Sequence, residues 1–311
     1  MRRFVRRTLA ALALTTLAAC GTARPYAGAA QEAIPPIAPA SASGTPAGPK
    51  SAAQLPQGGT TIFPAYRVVA FYGTAGTAAL GVLGEGSPDV VLPRLRKAAR
   101  GFAGGRKIQV AYELIASIAQ GGPGPDGDYS HMIDMAQIQR YVDQARRNKV
   151  LVILDLQPGR GTFLPQAKRL EKFLLQPHVG LALDPEWRLP PGKIPGKTIG
   201  QVGPSEVNAV SAYVSGLVTE HGLPQKLFVL HQFRSSMLPG IEKIQKRPGL
   251  AMVQHVDGFG TRSQKDATWN RIKRPRQFHM GYKLFYDEDV HRYGPVDVLR
   301  FTPVPELVSY Q

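Results

Sequence analysis

Acidic side chains, histidines and glutamines follow several short apolar segments of this sequence, at the point where each segment ends. The set comprises Glu113, Asp155, Gln157, Asp184, Glu186, His231, Gln232, His255, Asp257 and Asp287. Carboxyl and imidazole groups transfer protons, act as nucleophiles or ligate metals in enzymes. If the apolar segments are parallel strands, their carboxyl ends meet at one edge, and the sequence predicts a site there.

The segment Leu183–Trp187 carries the densest set of such groups. Pro185 keeps the preceding residue extended, so the carboxylates of Asp184 and Glu186, about 7 Å apart along the chain, should project on one side. Hydrolysis of a glycoside needs two carboxyl groups, one protonated as an acid and one ionised as a nucleophile or base. Trp187 can stack on a sugar ring or, by excluding water, raise the pKa of the neighbouring acid.

These features predict Glu186 as a general acid and Asp184 as its neighbouring carboxylate. Asp155, Glu113 or Asp287 would supply the second catalytic group or a sugar ligand, with Asp155 the first choice for catalysis. The remaining candidates are expected to bind substrate: Glu113, Gln157, Trp187, His231, Gln232, His255, Asp257, Tyr286 and Asp287.

Two other interpretations of the same residues stay open. Asp184 can cap the loop that follows it while Trp187 plugs the barrel rim. Alternatively, the two histidines and three aspartates can form the centre of a metal-dependent hydrolase or phosphodiesterase: His231, His255, Asp155, Asp184 and Asp257. Their spacing matches no metal-ligand signature, and no complete P-loop, G-x-S-x-G or H-E-x-x-H motif occurs. The sequence therefore predicts neither a bound metal nor a cofactor.

Eight short apolar segments must position these side chains, and they alternate with segments of helical spacing. The apolar segments are Tyr66–Tyr72, Lys107–Leu114, Lys149–Leu156, Val179–Asp184, Lys226–Gln232, Leu250–Val256, His279–Phe285 and Asp297–Thr302. Most are almost continuously hydrophobic, as expected of strands buried on both faces. Eight strands alternating with helices over about 250 residues predict an α/β fold, a closed (β/α)8 TIM barrel, with a doubly wound open sheet as the alternative.

Alternation along the strands predicts which side chains enter the barrel. Gly180 and Ala182 share the parity of Asp184. Small residues toward the interior and leucines toward the helices would aim this carboxylate inward. The same alternation places Glu113 inside the barrel and Lys283 where it can pair with the acidic cluster.

At these residues the chain resembles glycoside-hydrolase-like TIM barrels, in particular lipoproteins of high-GC actinobacteria, over residues 66–302. Chitinase-like families end the fourth strand in Asp-x-Asp-x-Glu, whereas this chain has Ala182 at the first Asp, followed by Asp184-Pro185-Glu186. The large retaining clan has Asn-Glu after strand four and a glutamate after strand seven, where this chain has Pro185-Glu186 and Tyr286-Asp287-Glu288-Asp289. The resemblance implies a carbohydrate-active barrel with its site at the strand ends.

The N-terminal residues 1–20 have the features of a lipoprotein signal peptide. Four arginines precede the apolar segment Leu9–Ala19, and Leu17-Ala18-Ala19-Cys20 resembles the bacterial lipobox. In lipoproteins with this pattern the cysteine is lipidated, so Cys20 predicts export and anchoring to the outer face of the bacterial cytoplasmic membrane. The apolar segment is shorter than the roughly 20 residues that span a bilayer.

Residues 21–59 are rich in Ala, Pro, Gly and Ser and predict a flexible tether, which leaves residues 60–311 for the barrel domain. The chain has 38 Lys and Arg against 22 Asp and Glu, a formal net charge of +16. This charge, including the basic segment Arg262–Arg276, favours anionic wall polymers or lipid headgroups as partners. Nucleic acid is not expected, because the predicted location is extracytoplasmic and no recognition motif occurs.

The sequence thus predicts an exported, lipid-anchored glycoside hydrolase that acts on a cell-surface or environmental polysaccharide. A non-catalytic barrel lipoprotein that binds wall glycan or an anionic polymer is one alternative. A metal-dependent hydrolase or phosphodiesterase is the other.

Overall fold

Eight parallel strands close into a barrel in the computed structural model, which describes residues 53–311. The strands of the sheet are β1 (Tyr66–Gly73), β2 (Lys107–Ala119), β3 (Ser130–Met132), β4 (Leu151–Leu156), β5 (Val179–Leu183), β6 (Lys226–Gln232), β7 (Leu250–Val256), β8 (His279–Leu284) and β9 (Leu307–Tyr310). Strand β3 pairs antiparallel with the end of β2 and stands outside the barrel. Pairing of β9 with β1 closes the barrel, so the predicted α/β TIM barrel is confirmed and the open sheet is excluded.

Helices connect most of these strands on the outside of the barrel. The α-helices are α1 (Pro88–Ala99), α2 (Met135–Asn148), α3 (Phe163–Arg169), α4 (Glu171–Leu174), α5 (Pro204–Glu220), α6 (Arg262–Ile272) and α7 (Pro295–Val298). Helix α2 is capped by the Asp134 carboxylate, and α6 begins with a capping box of Thr261 and Gln264. Within residues 53–311, no helix combines the length and the apolar character that crossing a membrane requires.

The eighth predicted strand is wrong. Asp297–Thr302 lies at the end of α7 and in the turn that follows, and the last barrel strand is Leu307–Tyr310. A proline at the first helical position, Pro295, favours a helix start here. The Asp297 carboxylate also accepts a hydrogen bond from the Gly294 amide at 3.0 Å. These capping contacts outweigh the β-propensity of the apolar residues in the segment.

The predicted signal peptide, the lipidated Cys20 and the tether up to residue 52 lie outside the described residues. The last residues assigned to the tether pack against the barrel instead. Leu55 is buried among the apolar residues of the barrel interior. The Tyr66 hydroxyl lies within hydrogen-bond distance of the Gln57 and Gly58 carbonyls. The compact domain therefore begins near Leu55. The sequence did not indicate this start, because one leucine in a segment rich in Ala, Pro and Gly produces no periodic signal.

The barrel interior changes from apolar to polar along the strands. Toward the amino-terminal ends of the strands, the interior is filled by small and branched side chains. These side chains alternate along each strand with side chains that face the helices. These inward residues include Val68, Ala70, Ala111, Ile153, Ala182, Val229, Val253 and Leu307. Leu181 and Leu183 pack in the outer core against the helices, which confirms the predicted orientation of β5. The next inward position of each strand, toward its carboxyl end, is polar.

Strand β5 approaches β6 so closely that Gly180 has no room for a side chain. A Cβ atom there would lie 2.5 Å from the Leu227 carbonyl oxygen. We expect Gly180→Ala to lower the free energy of unfolding by roughly 1 to 3 kcal/mol, the usual cost of overpacking. Urea denaturation followed by circular dichroism measures it.

Gly216→Ala, within α5, is the matched control for this prediction. A Cβ atom there would meet only Glu220 Oε1, at an ordinary 3.6 Å. Because alanine favours a helix over glycine by roughly 0.5 to 1 kcal/mol, this substitution should stabilise the protein slightly. Equal stability of the two variants would contradict the packing described for β5.

Candidate functional site

A ring of eight polar side chains crosses the interior at the carboxyl ends of the strands. Each barrel strand, or the residue directly after it, contributes one member, and all eight are buried. The members are Tyr72, Glu113, Asp155, Asp184, His231, His255, Lys283 and Ser309. We call these residues the polar ring. The sequence predicted that charged groups would cluster at the strand ends. They do cluster there, and they are buried inside the barrel.

His231 bridges two carboxylates in this ring region. Its Nδ1 atom lies 3.0 Å from Asp257 Oδ2, and its Nε2 atom lies 3.1 Å from Glu113 Oε1. Because an ionised carboxylate only accepts hydrogen bonds, a ring that bonds to both must carry a proton on each nitrogen. The geometry therefore corresponds to an imidazolium held between two carboxylates.

The electrostatic balance of these three groups agrees with that assignment. Burial alone would lower the pKa of His231, but the hydrogen bonds to Asp257 and Glu113 raise it well above its ordinary value. Burial alone would raise the pKa of the two carboxyl groups, but the hydrogen bond and charge of His231 hold both below their ordinary values. Each charge keeps its neighbour ionised.

His255 is neutral beside this charged group. Burial lowers its pKa to about 4, although the charge of Glu113 acts in the opposite direction. Its Nε2 atom lies 3.2 Å from Ser309 Oγ. Its Nδ1 atom lies 3.9 Å from Glu113 Oε1 and has no hydrogen-bond partner among the described residues.

Tyr72 and Asp155 form a second hydrogen-bonded group across the ring. The Tyr72 hydroxyl donates to Asp155 Oδ2 at 2.9 Å and accepts from Gln157 Nε2 at 3.2 Å. Burial raises the pKa of Asp155 above its ordinary value. The ammonium of Lys283 lies 3.3 Å from the centre of the Tyr72 ring, a cation–π contact.

A cavity of about 500 Å³ opens above the polar ring. Five of the residues predicted to form the site line it: Gln157, Asp184, Glu186, Trp187 and Asp257. Asp155, Glu113, His231 and His255 belong to the buried layer and do not line the cavity. They can act on a bound molecule only through the residues above them.

Glu186 and Asp184 lie where β5 meets the 3₁₀ turn Pro185–Trp187. Asp184 is extended, and its Oδ1 accepts a hydrogen bond from the Glu186 amide at 3.2 Å. It therefore caps the turn and lines the cavity at the same time. Burial raises the pKa of Asp184 well above its ordinary value. Burial, with the charge of Asp257, raises the pKa of Glu186 to about 7.

Three predicted site residues lie away from the cavity. Gln232 occupies a position of β6 that faces the helices, not the barrel interior. There it accepts a hydrogen bond from Gln254 Nε2 at 2.7 Å. Tyr286 stacks on Tyr310 with ring centres 5.1 Å apart. Asp287 is exposed and is not part of the cavity wall.

The turn after β8 explains the position of Asp287. The Asp289 carboxylate accepts hydrogen bonds from the Phe285 amide at 3.0 Å and the Gly260 amide at 3.3 Å, and pairs with Lys265 at 2.9 Å. Asp289 therefore occupies the inner side of the turn. The Asp287 carboxylate, two residues earlier, is exposed to solvent.

Several cavity residues were not predicted from the sequence. Tyr72 shares the parity of Val68 and Ala70 on β1, so strand alternation contained that signal. The aromatic residues Phe233, Phe259 and Phe285 and the cations Arg234 and Arg271 come from loops, from α6 and from the residue after β8. No spacing rule places these side chains at one cavity.

Glu113, His231 and His255 are also the residues that could hold a metal ion. One donor atom from each lies within 4.8 Å of the others. Asp257 and Ser309 bond to the remaining ring nitrogens, as the outer partners of metal-bound histidines do. A metal ion and the second proton of His231 would compete for the same lone pair, so metal content distinguishes the two arrangements.

Comparison with known proteins adds no family assignment. The chain matches no protein-family model and no curated protein.

The bridge made by His231 should contribute strongly to stability. His231→Phe leaves Glu113 and Asp257 as unpaired buried carboxylates. We expect the free energy of unfolding at about pH 6 to fall by about 3 to 5 kcal/mol in urea denaturation. The wild-type advantage should be complete above the ordinary carboxylate pKa, about 4.5, and below that of histidine, about 6.5, and should decline outside this range.

His178→Phe is the control for that experiment. His178 is also buried, but its Nε2 atom bonds only to the Val142 carbonyl, at 2.9 Å. Its loss should cost about 1 kcal/mol. An equal loss in the two variants would show that the hydrogen bonds of His231 to Glu113 and Asp257 contribute no more to stability than one ordinary buried hydrogen bond.

Proposed function

We propose that this protein is a glycoside hydrolase in which Glu186 is the general acid. The single observation that carries the proposal is the placement of Glu186 in the cavity wall with its pKa raised to about 7. A carboxyl group that keeps its proton near neutral pH can donate it to a glycosidic oxygen as the carbon–oxygen bond breaks. Burial is the main cause of the raised pKa, with the charge of Asp257 second.

Asp257 is the second carboxyl group of the proposed reaction. It lines the cavity, and its pKa is held below its ordinary value because the hydrogen bond and charge of His231 outweigh burial. An ionised carboxylate can attack the anomeric carbon or accept a proton from the attacking water. Asp257 takes this role in preference to Asp155 and Glu113, which lie beneath the cavity, and to Asp287, which is exposed.

Asp184 would bind rather than transfer protons. Burial raises its pKa well above the ordinary value, which favours the protonated form. A neutral carboxyl group can donate a hydrogen bond to a sugar hydroxyl. Glu113 would act only through His231, whose charge keeps Asp257 ionised.

Aromatic side chains on the cavity wall support a sugar as the occupant. Trp187, Phe233, Phe259 and Phe285 line it, and Phe259 is 64% exposed. Flat apolar rings of this kind stack on the apolar faces of pyranose rings, while the polar residues between them meet hydroxyl groups. With the predicted anchor at Cys20, the substrate would be a polysaccharide or wall glycan outside the cytoplasmic membrane.

A metal-dependent hydrolase or phosphodiesterase is the second candidate, favoured by the donor atoms of Glu113, His231 and His255. The glycosidase proposal expects less than stoichiometric metal in the purified protein and no loss of activity after treatment with EDTA. Stoichiometric zinc, manganese or iron, with activity lost on chelation and restored by the ion, would favour the second candidate.

Glu186→Gln tests the proposed acid. The amide retains the shape of the side chain but cannot donate the proton, so kcat should fall by about 10² to 10⁴ on substrates with poor leaving groups. Release of reducing ends from a panel of bacterial wall and capsular glycans measures it. Glu288→Gln, an exposed neighbour of Asp287, is the control and should retain full activity.

Unchanged release by Glu186→Gln would overturn the assignment of the acid. Binding without release, in both the wild type and the variant, would favour the non-catalytic glycan binder.

The pH profile supplies an independent prediction. Glu186 must be protonated, so kcat/KM should fall as the pH rises above about 7. The groups that act on its pKa are Asp257, which raises it, and Lys283, His231 and Arg234, which lower it. Arg234→Gln should therefore move the alkaline limb to higher pH. A limb that stays in place in this variant, or that lies near the ordinary glutamate pKa, would contradict the assignment.

A further inference from the structure

Lys283 is a buried cation that faces the cavity and stacks on an aromatic ring without a hydrogen-bond or ion-pair partner among residues 53–311. Its side chain is 3% exposed and lines the cavity, with the Nζ atom over the Tyr72 ring. In the part of the chain that the structure describes, this ammonium makes no hydrogen bond, and no carboxylate oxygen lies within 4.0 Å of it. An ammonium carries three donors, and leaving them unmet away from solvent is costly. These donors face the cavity, where oxygen atoms of a bound molecule can accept their hydrogen bonds.

Two guanidinium groups stand on the same cavity wall. Arg234 and Arg271 line it and are exposed. Neither pairs with a carboxylate in residues 53–311, whereas Arg188 and Arg262 do pair with acids. The cavity wall therefore has three cationic side chains that form no ion pair among the described residues.

Two acidic side chains of the wall, Asp257 and Asp184, are in contrast already hydrogen-bonded to protein groups through one oxygen each. Asp257 is bonded to the His231 ring. Asp184 accepts the hydrogen bond from the Glu186 amide. Burial raises the pKa values of Asp184 and Glu186, which reduces the negative charge that they contribute. The charge available to a ligand on this wall is therefore positive.

We infer that the substrate is an acidic glycan, and that Lys283 binds a sugar carboxylate while Arg234 and Arg271 receive acidic groups at the cavity rim. This inference rests on the proposed glycosidase function and names its substrate class. A single negative charge matches the single buried ammonium, and the planar carboxylate fits the guanidinium groups at the rim. Without the four arginines of the predicted signal peptide, the formal net charge of the chain falls from +16 to +12, which would still attract an anionic polymer to the protein.

Paired ligands provide the test. Oligosaccharides of glucuronate, galacturonate and mannuronate are each compared with their carboxyl-reduced counterparts, which differ only by an alcohol in place of the carboxylate. Isothermal titration calorimetry with the full chain measures binding, and reducing-end release measures cleavage. At least one uronate should bind about tenfold or more tighter than its reduced form, and this preference should weaken with salt.

Variants locate the preference within the cavity. Lys283→Met removes the buried charge and should remove most of the distinction between the two ligand forms. Arg234→Gln with Arg271→Gln changes only exposed side chains, so it keeps the test decisive if Lys283→Met fails to fold. This double variant should reduce the preference. Arg274→Gln, an exposed arginine outside the cavity wall, is the charge-matched control and should leave it unchanged.

The outcomes separate this inference from the proposed function. Equal cleavage of both ligand forms would overturn the inference and leave the glycosidase standing. Selective binding of the uronate without cleavage would support the carboxylate site and count against the glycosidase. Preference for the neutral form, binding of neither form, or stronger competition by sulfated or phosphorylated sugars would overturn the carboxylate site.

Discussion

The charged hydrogen bonds of His231 are the interaction on which the rest of the site depends. They join three parts of the barrel, because His231 lies on β6, Glu113 on β2 and Asp257 directly after β7. Two carboxylates at this depth would be destabilising without a cation between them, since neither can be solvated. The imidazolium lets both remain ionised. Asp184 and Glu186 have no comparable cationic partner, so burial raises the pKa of both carboxyl groups.

This arrangement divides the barrel into parts with different tasks. Small and branched apolar residues fill the interior toward the amino-terminal ends of the strands and carry stability, while the polar ring sets the charges presented to the cavity. The buried pair Lys265–Asp289 holds the loops after β7 and β8, which bring Asp257 and the aromatic residues to the cavity. Three buried oxygens of the site, on Glu113, Asp155 and Asp257, have no hydrogen-bond partner among the described residues. Unmet groups of this kind reduce stability and are a common feature of sites built for function rather than for folding.

Strand alternation was sufficient to predict much of this architecture. The apolar runs located seven of the eight barrel strands, and the parity of Ala182 and Ala111 predicted that Asp184 and Glu113 point inward. The eighth strand was misplaced because helix capping at Gly294 and Asp297 overrides local β-propensity. The same parity rule, applied to β6, would have excluded Gln232. The sequence could not predict which distant side chains bond to each other. Glu113 and His231 are 118 residues apart, and nothing in their spacing indicates that they form a hydrogen bond. Arg234 lies in a loop and Arg271 in α6, and their positions at the cavity depend on how the whole chain folds.

The protonation state of His231 tests this account most directly. The chain has seven histidines, and nitrogen NMR of protein labelled at the imidazole rings, assigned with a His231→Gln variant, can resolve this one. We predict that both ring nitrogens of His231 carry protons at about pH 7.5, above the ordinary histidine pKa of about 6.5, and that both protons exchange slowly with solvent. A His231 ring with one unprotonated nitrogen at that pH, or with a nitrogen shift typical of metal ligation, would contradict the account.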